Sequence, residues 1–392
     1  MKSNDPKDTT KAIRSQMKRS PEREHSAPIY MTSSFVFDSA EQARALFAEE
    51  EQGNIYTRFS NPNNDEFTRK MAELEGLPDG FATASGMSAI FTSMAALLKS
   101  GDHVVCARSV FGSTHQILTQ IFPKWNISHT YADIADQYDW ERHFTPKTKM
   151  LFLETPSNPA LDIIDLEFVA QLCKKHKVWL NVDNCFCTPA IQRPAFFGAD
   201  IVTHSATKYI DGQGRALGGI ILATKELMKD IRFFARHTGP ALSPFNAWIF
   251  SKSLETLDLR MSRHASSAKL VATHLQKNPH IEKVIYPFLP DHPGYKLAQK
   301  QMKSGGGIVT LILKGGIDHG RRFLDNLKMI SHTANLGDTR TIATHPASTT
   351  HSKLSDEDRR SVGILPGMVR ISVGLENIDD ILNDIEQALA AH

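Results

Sequence analysis

Between residues 66 and 225, short apolar runs alternate with amphipathic segments, and this alternation is the strongest constraint on the fold. The runs are HVVCA, KMLFLE, VWLNVD, DIVTHS and GGIILAT, and LEFVAQLCKKHK, a helix with an apolar stripe, separates two of them. Runs that are apolar at consecutive residues fit strands buried on both faces. Strands alternating with helices imply βαβ units and a mostly parallel sheet covered on both sides. NDEFTRKMAELEG predicts a helix closed by Gly76, and SGMSAIFTSMAALLKSG predicts one opened at Ser85 and closed by Gly101.

The flanks differ. Residues 1–55 read as an N-terminal arm with one short helix from Ser39, where Gln42 completes a capping box. Residues 56–250 form the large domain, and residues 251–392 a smaller C-terminal α+β domain. SPFNAWIFSKSLETLDLRMSRHASSAKLVATHLQ predicts one long helix with room for a kink, capped by Ser243 with Pro244 in its first turn. SGGGIVTLILKGG and MVRISVGLE predict strands, and NIDDILNDIEQALAAH a terminal helix.

Composition removes several function classes. A net charge of +2 over 392 residues leaves no electrostatic footprint for nucleic acid or an anionic membrane. No apolar run approaches the roughly 20 residues of a membrane span. The polar N-terminus lacks a signal-peptide core, and four cysteines make no disulfide framework, so the cytoplasm is the expected compartment. Cys185 and Cys187 form a C-x-C pair with no second pair, His345 and His351 lie in a loop-like stretch, and no metal is expected at either.

In a doubly wound sheet, ligands bind at the carboxyl ends of strands. Asn158 follows KMLFLETPS, Asp183 ends VWLNVD, Ser205, Thr207 and Lys208 follow DIVTH, and Gly86 and Met87 open a helix after FATAS. A converging lysine, aspartate and helix N-terminus suit pyridoxal 5′-phosphate. Its aldehyde needs an amine to form a Schiff base, which Lys208 offers. Its ring nitrogen needs an opposed carboxylate, about 4 kcal/mol at ~4 Å in an effective dielectric near 20, and Asp183 is the candidate. Its phosphate needs N–H donors, which the Ser85–Gly86–Met87 turn presents, with the hydroxyls of Ser205 and Thr207 beside them.

THSATKYIDGQGRALGG, with VDNCFCTP, TASGMSAI, ETPSNP, IYTRFSNPN and HPASTTHS, resembles the cysteine/methionine-metabolism family of pyridoxal-phosphate enzymes, from about residue 10 to the C-terminus. That family includes cystathionine synthases and lyases, methionine γ-lyase and the homoserine-ester sulfhydrylases. SVFGST, DNCFCTPA, HSATKYIDGQGR and TGPALSPFNAW point to the sulfhydrylase branch that acts on succinylated homoserine. The resemblance implies a fold-type I pyridoxal-phosphate-dependent transferase. In that reading Lys208 binds the cofactor and moves protons, Asp183 holds the pyridine nitrogen, and Asn158 touches the phenolic oxygen. Gly86, Met87, Ser205 and Thr207 hold the phosphate. Tyr56 and Arg58 reach the phosphate of a neighbouring subunit, which implies a homo-oligomer, expected to be a tetramer of two catalytic dimers. Arg370 clamps the substrate α-carboxylate, with Asn335 near it.

The implied reaction is γ-replacement on O-succinylhomoserine by sulfide, giving homocysteine and succinate in methionine biosynthesis. The alternatives are a cystathionine γ-synthase using cysteine, a γ-lyase, and a non-catalytic cofactor-binding regulatory protein. Three departures bear on this. Phe111 stands where the family often stacks a tyrosine on the cofactor, so that side chain moves no proton. Ser113 stands where some γ-lyases have cysteine, and Asn335 where relatives often have serine. Arg215 and His115 are the candidates for meeting a distal succinyl carboxylate.

Overall fold

The computed structural model describes residues 5–349, 359 and 363–391. Its large sheet has seven strands: β1 (Asp79–Thr83), β2 (His103–Ala107), β3 (Ser128–Ala132), β4 (Thr148–Glu154), β5 (Trp179–Asp183), β6 (Ile201–Ser205) and β7 (Gly219–Ala223). Their order is β1-β7-β6-β5-β4-β2-β3. All neighbouring pairs are parallel except those made by β7, which runs antiparallel to both β1 and β6. The expected strands are present, and HVVCA and GIILA are buried at every position. Apolar clusters cover both faces: one holds Val105, Leu151, Leu153 and Val182, and the other Val104, Met150, Phe152 and Ile201. Residues adjacent along a strand thus fall in opposite clusters, as the period of two requires.

A second sheet of five strands has the order β10-β11-β12-β9-β8, with β8 at Ile281–Ile285, β9 at Ile308–Leu313, β10 at Ser331–His332, β11 at Ile342–Thr344 and β12 at Met368–Ser372. The terminal helix Ile378–Ala390 buries Ile381, Ile385, Ala388 and Leu389 in its core. The sequence motif His345–Ser352 is described only to Thr349, so His351 lies outside the described residues.

Several expectations need correction. Strands β1 and β3 carry little strand signal: DGFAT and SHTYA are short and mixed in polarity. The helix that opens at Ser85 ends at Ala95, and Gly101 sits beyond it in a turn with φ +94°. The arm holds two helices, Asp8–Arg14 and Ala40–Phe47, where one was expected. Ser39 accepts from Gln42 N as predicted, but the Gln42 side chain reaches Asp38 N, one residue before the cap.

The long helix is divided into Pro244–Leu254 and Leu257–Leu275, and Ser243 makes no side-chain cap. Arg260 explains what the break achieves. Its guanidinium donates to Ser253 O at 3.0 Å, near the end of the first helix. It also donates to Tyr209 O at 2.7 Å and Ile210 O at 3.2 Å, in the turn that follows β6. One buried cation therefore satisfies carbonyls from both segments, and burial pushes its pKa down to about 10. Gly212 keeps the turn close, because a Cβ there would run into the Arg260 guanidinium.

Replacing Arg260 with alanine should therefore cost on the order of 3 kcal/mol, since the buried Tyr209 and Ile210 carbonyls lose the Arg260 donor. Urea unfolding of the variant beside the parent chain checks this, and an unchanged midpoint would contradict it.

Candidate active site

The carboxyl ends of the central strands supply the site. Asp183 closes β5 and Glu154 closes β4, in direct register across the parallel pair. Ser205 closes β6, opposite Gly219 of β7. Lys208 lies in the turn after β6, half-buried, and its Nζ donates to Asn335 Oδ1 at 2.5 Å.

Asn335 joins that amine to a second cation. Arg370, on β12, donates from Nη2 to Asn335 O at 3.0 Å and Ala334 O at 3.3 Å, and from Nη1 to Asn158 Oδ1 at 2.9 Å. Its Nε is buried without a partner among the described residues. Burial pushes the Arg370 pKa down to about 10 and also lowers that of Lys208, to which Arg370 adds by repulsion. So Lys208, Asn335, Arg370 and Asn158 form one connected group drawn from both sheets. One guanidinium N–H in it still lacks an acceptor, as a carboxylate-binding arginine would before its ligand arrives.

Asp183 is a half-buried carboxyl that accepts from Cys185 N at Oδ1, 2.9 Å away. Burial raises its pKa to about 6, with His204 acting in the opposite direction. No cation forms an ion pair with it among the described residues. A protonated pyridine nitrogen would supply the missing partner.

The anion end is built by close packing. Ser85 and Ser88 exchange a reciprocal capping box, Ser88 N donating to Ser85 Oγ at 3.1 Å and Ser85 N to Ser88 Oγ at 2.9 Å. The first turn leaves the N–H groups of Gly86 and Met87 without intrahelical acceptors. A Cβ on Gly86 would stand 2.6 Å from Ser205 Cβ and 2.9 Å from its Oγ, and a Cβ on Gly219 would overlap Ser85 O. Only glycines at these two positions let the helix end press against β6 and β7, beside the Ser205 hydroxyl. Thr207 is engaged locally: its Oγ1 accepts from Gly218 N at 3.1 Å and donates to Gly218 O at 3.3 Å. The amine, the unpaired carboxyl and the free N–H groups together fit pyridoxal phosphate.

Phe111 has 46% of its surface exposed, and its backbone N–H donates to Glu154 Oε1 at 2.7 Å. Glu154 was not among the residues chosen from the sequence. The signal existed: an acid ends the apolar run KMLFLE just as Asp183 ends VWLNVD.

Two expected residues lie elsewhere. Tyr56 is exposed, and Arg58 donates from Nη1 to Arg236 O and lies 4.8 Å over the Phe59 ring. Arg58 lines a cavity of about 530 Å³ with Arg69 and Arg232, and neither Lys208 nor Asp183 contributes to it. Within one chain these two residues do not join the Lys208 group.

Arg215 is paired with a local acid. Its Nε donates to Asp211 Oδ1 at 3.1 Å and its Nη2 to Ser253 Oγ at 2.5 Å, so it serves the fully buried Asp211 and is not held ready for a ligand. His115 bonds Tyr131 OH through Nδ1 at 2.6 Å on an exposed helix. Replacing Arg215 with alanine should cost about 1–2 kcal/mol, because its side chain is 40% exposed, and should leave the preference between succinyl and acetyl esters unchanged. Parallel unfolding and ester-competition assays check both, and a lost succinyl preference would contradict the assignment.

Comparison with known proteins agrees with this geometry. The chain is 47% identical over 382 residues to an O-succinylhomoserine sulfhydrylase of Pseudomonas aeruginosa, covering 97% of this chain and 95% of the relative. It is 44% identical to an L-methionine gamma-lyase of Fusobacterium nucleatum, covering 92% of each. A solved chain from Campylobacter jejuni, provisionally assigned as an O-acetylhomoserine (thiol)-lyase, superposes with a TM-score of 0.94 at 33% identity, covering 98% of this chain and 100% of that one. That structure carries N′-pyridoxyl-lysine-5′-monophosphate. Residues 9–390 match the family described as Cys/Met metabolism PLP-dependent enzymes, and the chain belongs to that family, with its fold-type I architecture and its pyridoxal-phosphate cofactor.

Proposed function

We propose that the chain catalyses γ-replacement on O-succinyl-L-homoserine with sulfide, releasing L-homocysteine and succinate. The observation that carries this reading is the Lys208–Asn335–Arg370 group, which puts a proton-moving amine and a carboxylate clamp on one residue. The relatives named as O-succinylhomoserine sulfhydrylases, at 47% and 42% identity, support the acyl group and the nucleophile.

Lys208 would hold the cofactor, Asp183 its ring nitrogen, Asn158 its phenolic oxygen, and Gly86, Met87, Ser205 and Thr207 its phosphate. Bound pyridoxal phosphate supplies the electron sink that lets protons leave carbon. Arg370 binds the substrate α-carboxylate and so fixes which Cα–H bond faces Lys208. The lowered pKa of Lys208 favours the free amine, the form that accepts the Cα proton and then serves the neighbouring Cβ. Asn335 holds that amine in the cofactor-free chain. Phe111 would cover the ring and contribute no proton, which would leave Lys208 with the transfers that a tyrosine would share. His115 is the remaining candidate for a distal succinyl carboxylate. Tyr56 and Arg58 would complete the phosphate site of a partner subunit, so the working unit would be at least a dimer.

The second reading is γ-elimination, favoured by the methionine gamma-lyase relative at 44% identity. The purified protein, given O-succinylhomoserine with equal sulfide and cysteine, separates the readings by product mass. Homocysteine as the main product is expected. Cystathionine would move the assignment to a synthase, and 2-oxobutanoate with ammonia to a lyase.

A further inference from the structure

Two carboxyls, one buried and one half-buried, stand side by side at the ends of β4 and β5. Glu154 and Asp183 are register partners in a parallel pair, so their side chains leave the same face of the sheet on adjacent strands. The side chain of neither forms an ion pair among the described residues. Each carboxyl accepts one backbone N–H, from Phe111 and Cys185 respectively. Two like charges cannot both be held at such a site without a large penalty, and one carboxyl keeps its proton.

We propose that Glu154 is a positioning residue that stays protonated in the working enzyme, so that Asp183 carries the single negative charge facing the cofactor ring while Glu154 fixes the backbone of the stacking residue Phe111. This rests on the reading that Asp183 meets the ring nitrogen. The environment selects Glu154 as the proton holder. Asp183 is only half-buried, with His204 favouring its ionised form, whereas Glu154 is buried. Glu154 faces no such group: burial and repulsion from Asp183 push its pKa up to about 8, against the single Phe111 N–H. The thiols it faces, Cys106 of β2 and Cys185 after β5, are pushed up by burial and stay neutral. With one oxygen accepting from Phe111 N, a protonated Glu154 still fixes that backbone, so the charge is not needed for the contact.

The test uses holoenzyme and infrared spectroscopy. The parent protein at neutral pH should show a protonated-carboxyl band that titrates away above pH 8, and Glu154→Gln should lack it. The bound cofactor's visible absorption should undergo a matching alkaline shift in the parent and not in Glu154→Gln. If Glu154→Gln does not fold, Glu154→Asp in protein labelled with ¹³C-aspartate should move the band into the labelled set. An identical band in parent and Glu154→Gln overturns the proposal. Asp183→Asn tests the underlying reading separately: at least a tenfold loss of cofactor affinity is expected. Normal affinity there would sink the role of Asp183 and the electrostatic half of the proposal, whatever the infrared band shows of the Glu154 proton.

Discussion

The structure depends on a half-buried carboxylate that has no ion-pair partner among the described residues. Asp183 ends a buried strand, accepts one recorded backbone N–H, and is destabilised by burial. Such a group is costly unless something charged comes to meet it. The protein has placed it where the carboxyl ends of β4, β5 and β6 converge, with the Lys208 amine and the Gly86 helix end nearby in the same fold. A cationic ring nitrogen with an aldehyde and a phosphate satisfies all three at once.

Rigidity around this centre comes from backbone contacts. Gly86 and Gly219 bring a helix end against two strands at distances no side chain would allow. Arg260 ties the turn bearing Lys208 to the end of the preceding helix through three carbonyls. Arg370 reaches the site from the second sheet and binds Asn158 and the Asn335 backbone. Arg370, the amine and Asn158 are thus tied together across the two sheets by direct hydrogen bonds.

Much of this was legible in the residues. Five buried strands announced themselves as continuous apolar runs, and polar residues at their carboxyl ends named Asp183, Asn158, Ser205 and Lys208. Strands β1 and β3 were not legible, because DGFAT and SHTYA carry no apolar run and take their conformation from neighbours. The helix break near Thr256 depends on Arg260 binding carbonyls some 50 residues away, which local propensity cannot report. The direction of β7 is likewise a matter of packing. Arg215 looked available in the sequence because its partners Asp211 and Ser253 are recognisable only once the turn is folded. Glu154 escaped notice because its importance arises from register with Asp183, which a single strand does not display.

The central claim is that the Lys208 amine is where this site engages its cofactor, and one measurement addresses it directly. The cofactor-loaded protein is reduced with borohydride, digested, and searched by mass for the peptide bearing the pyridoxyl group. The account predicts a single modified peptide, the one containing Lys208. A label on any other lysine, or none on Lys208, would contradict it.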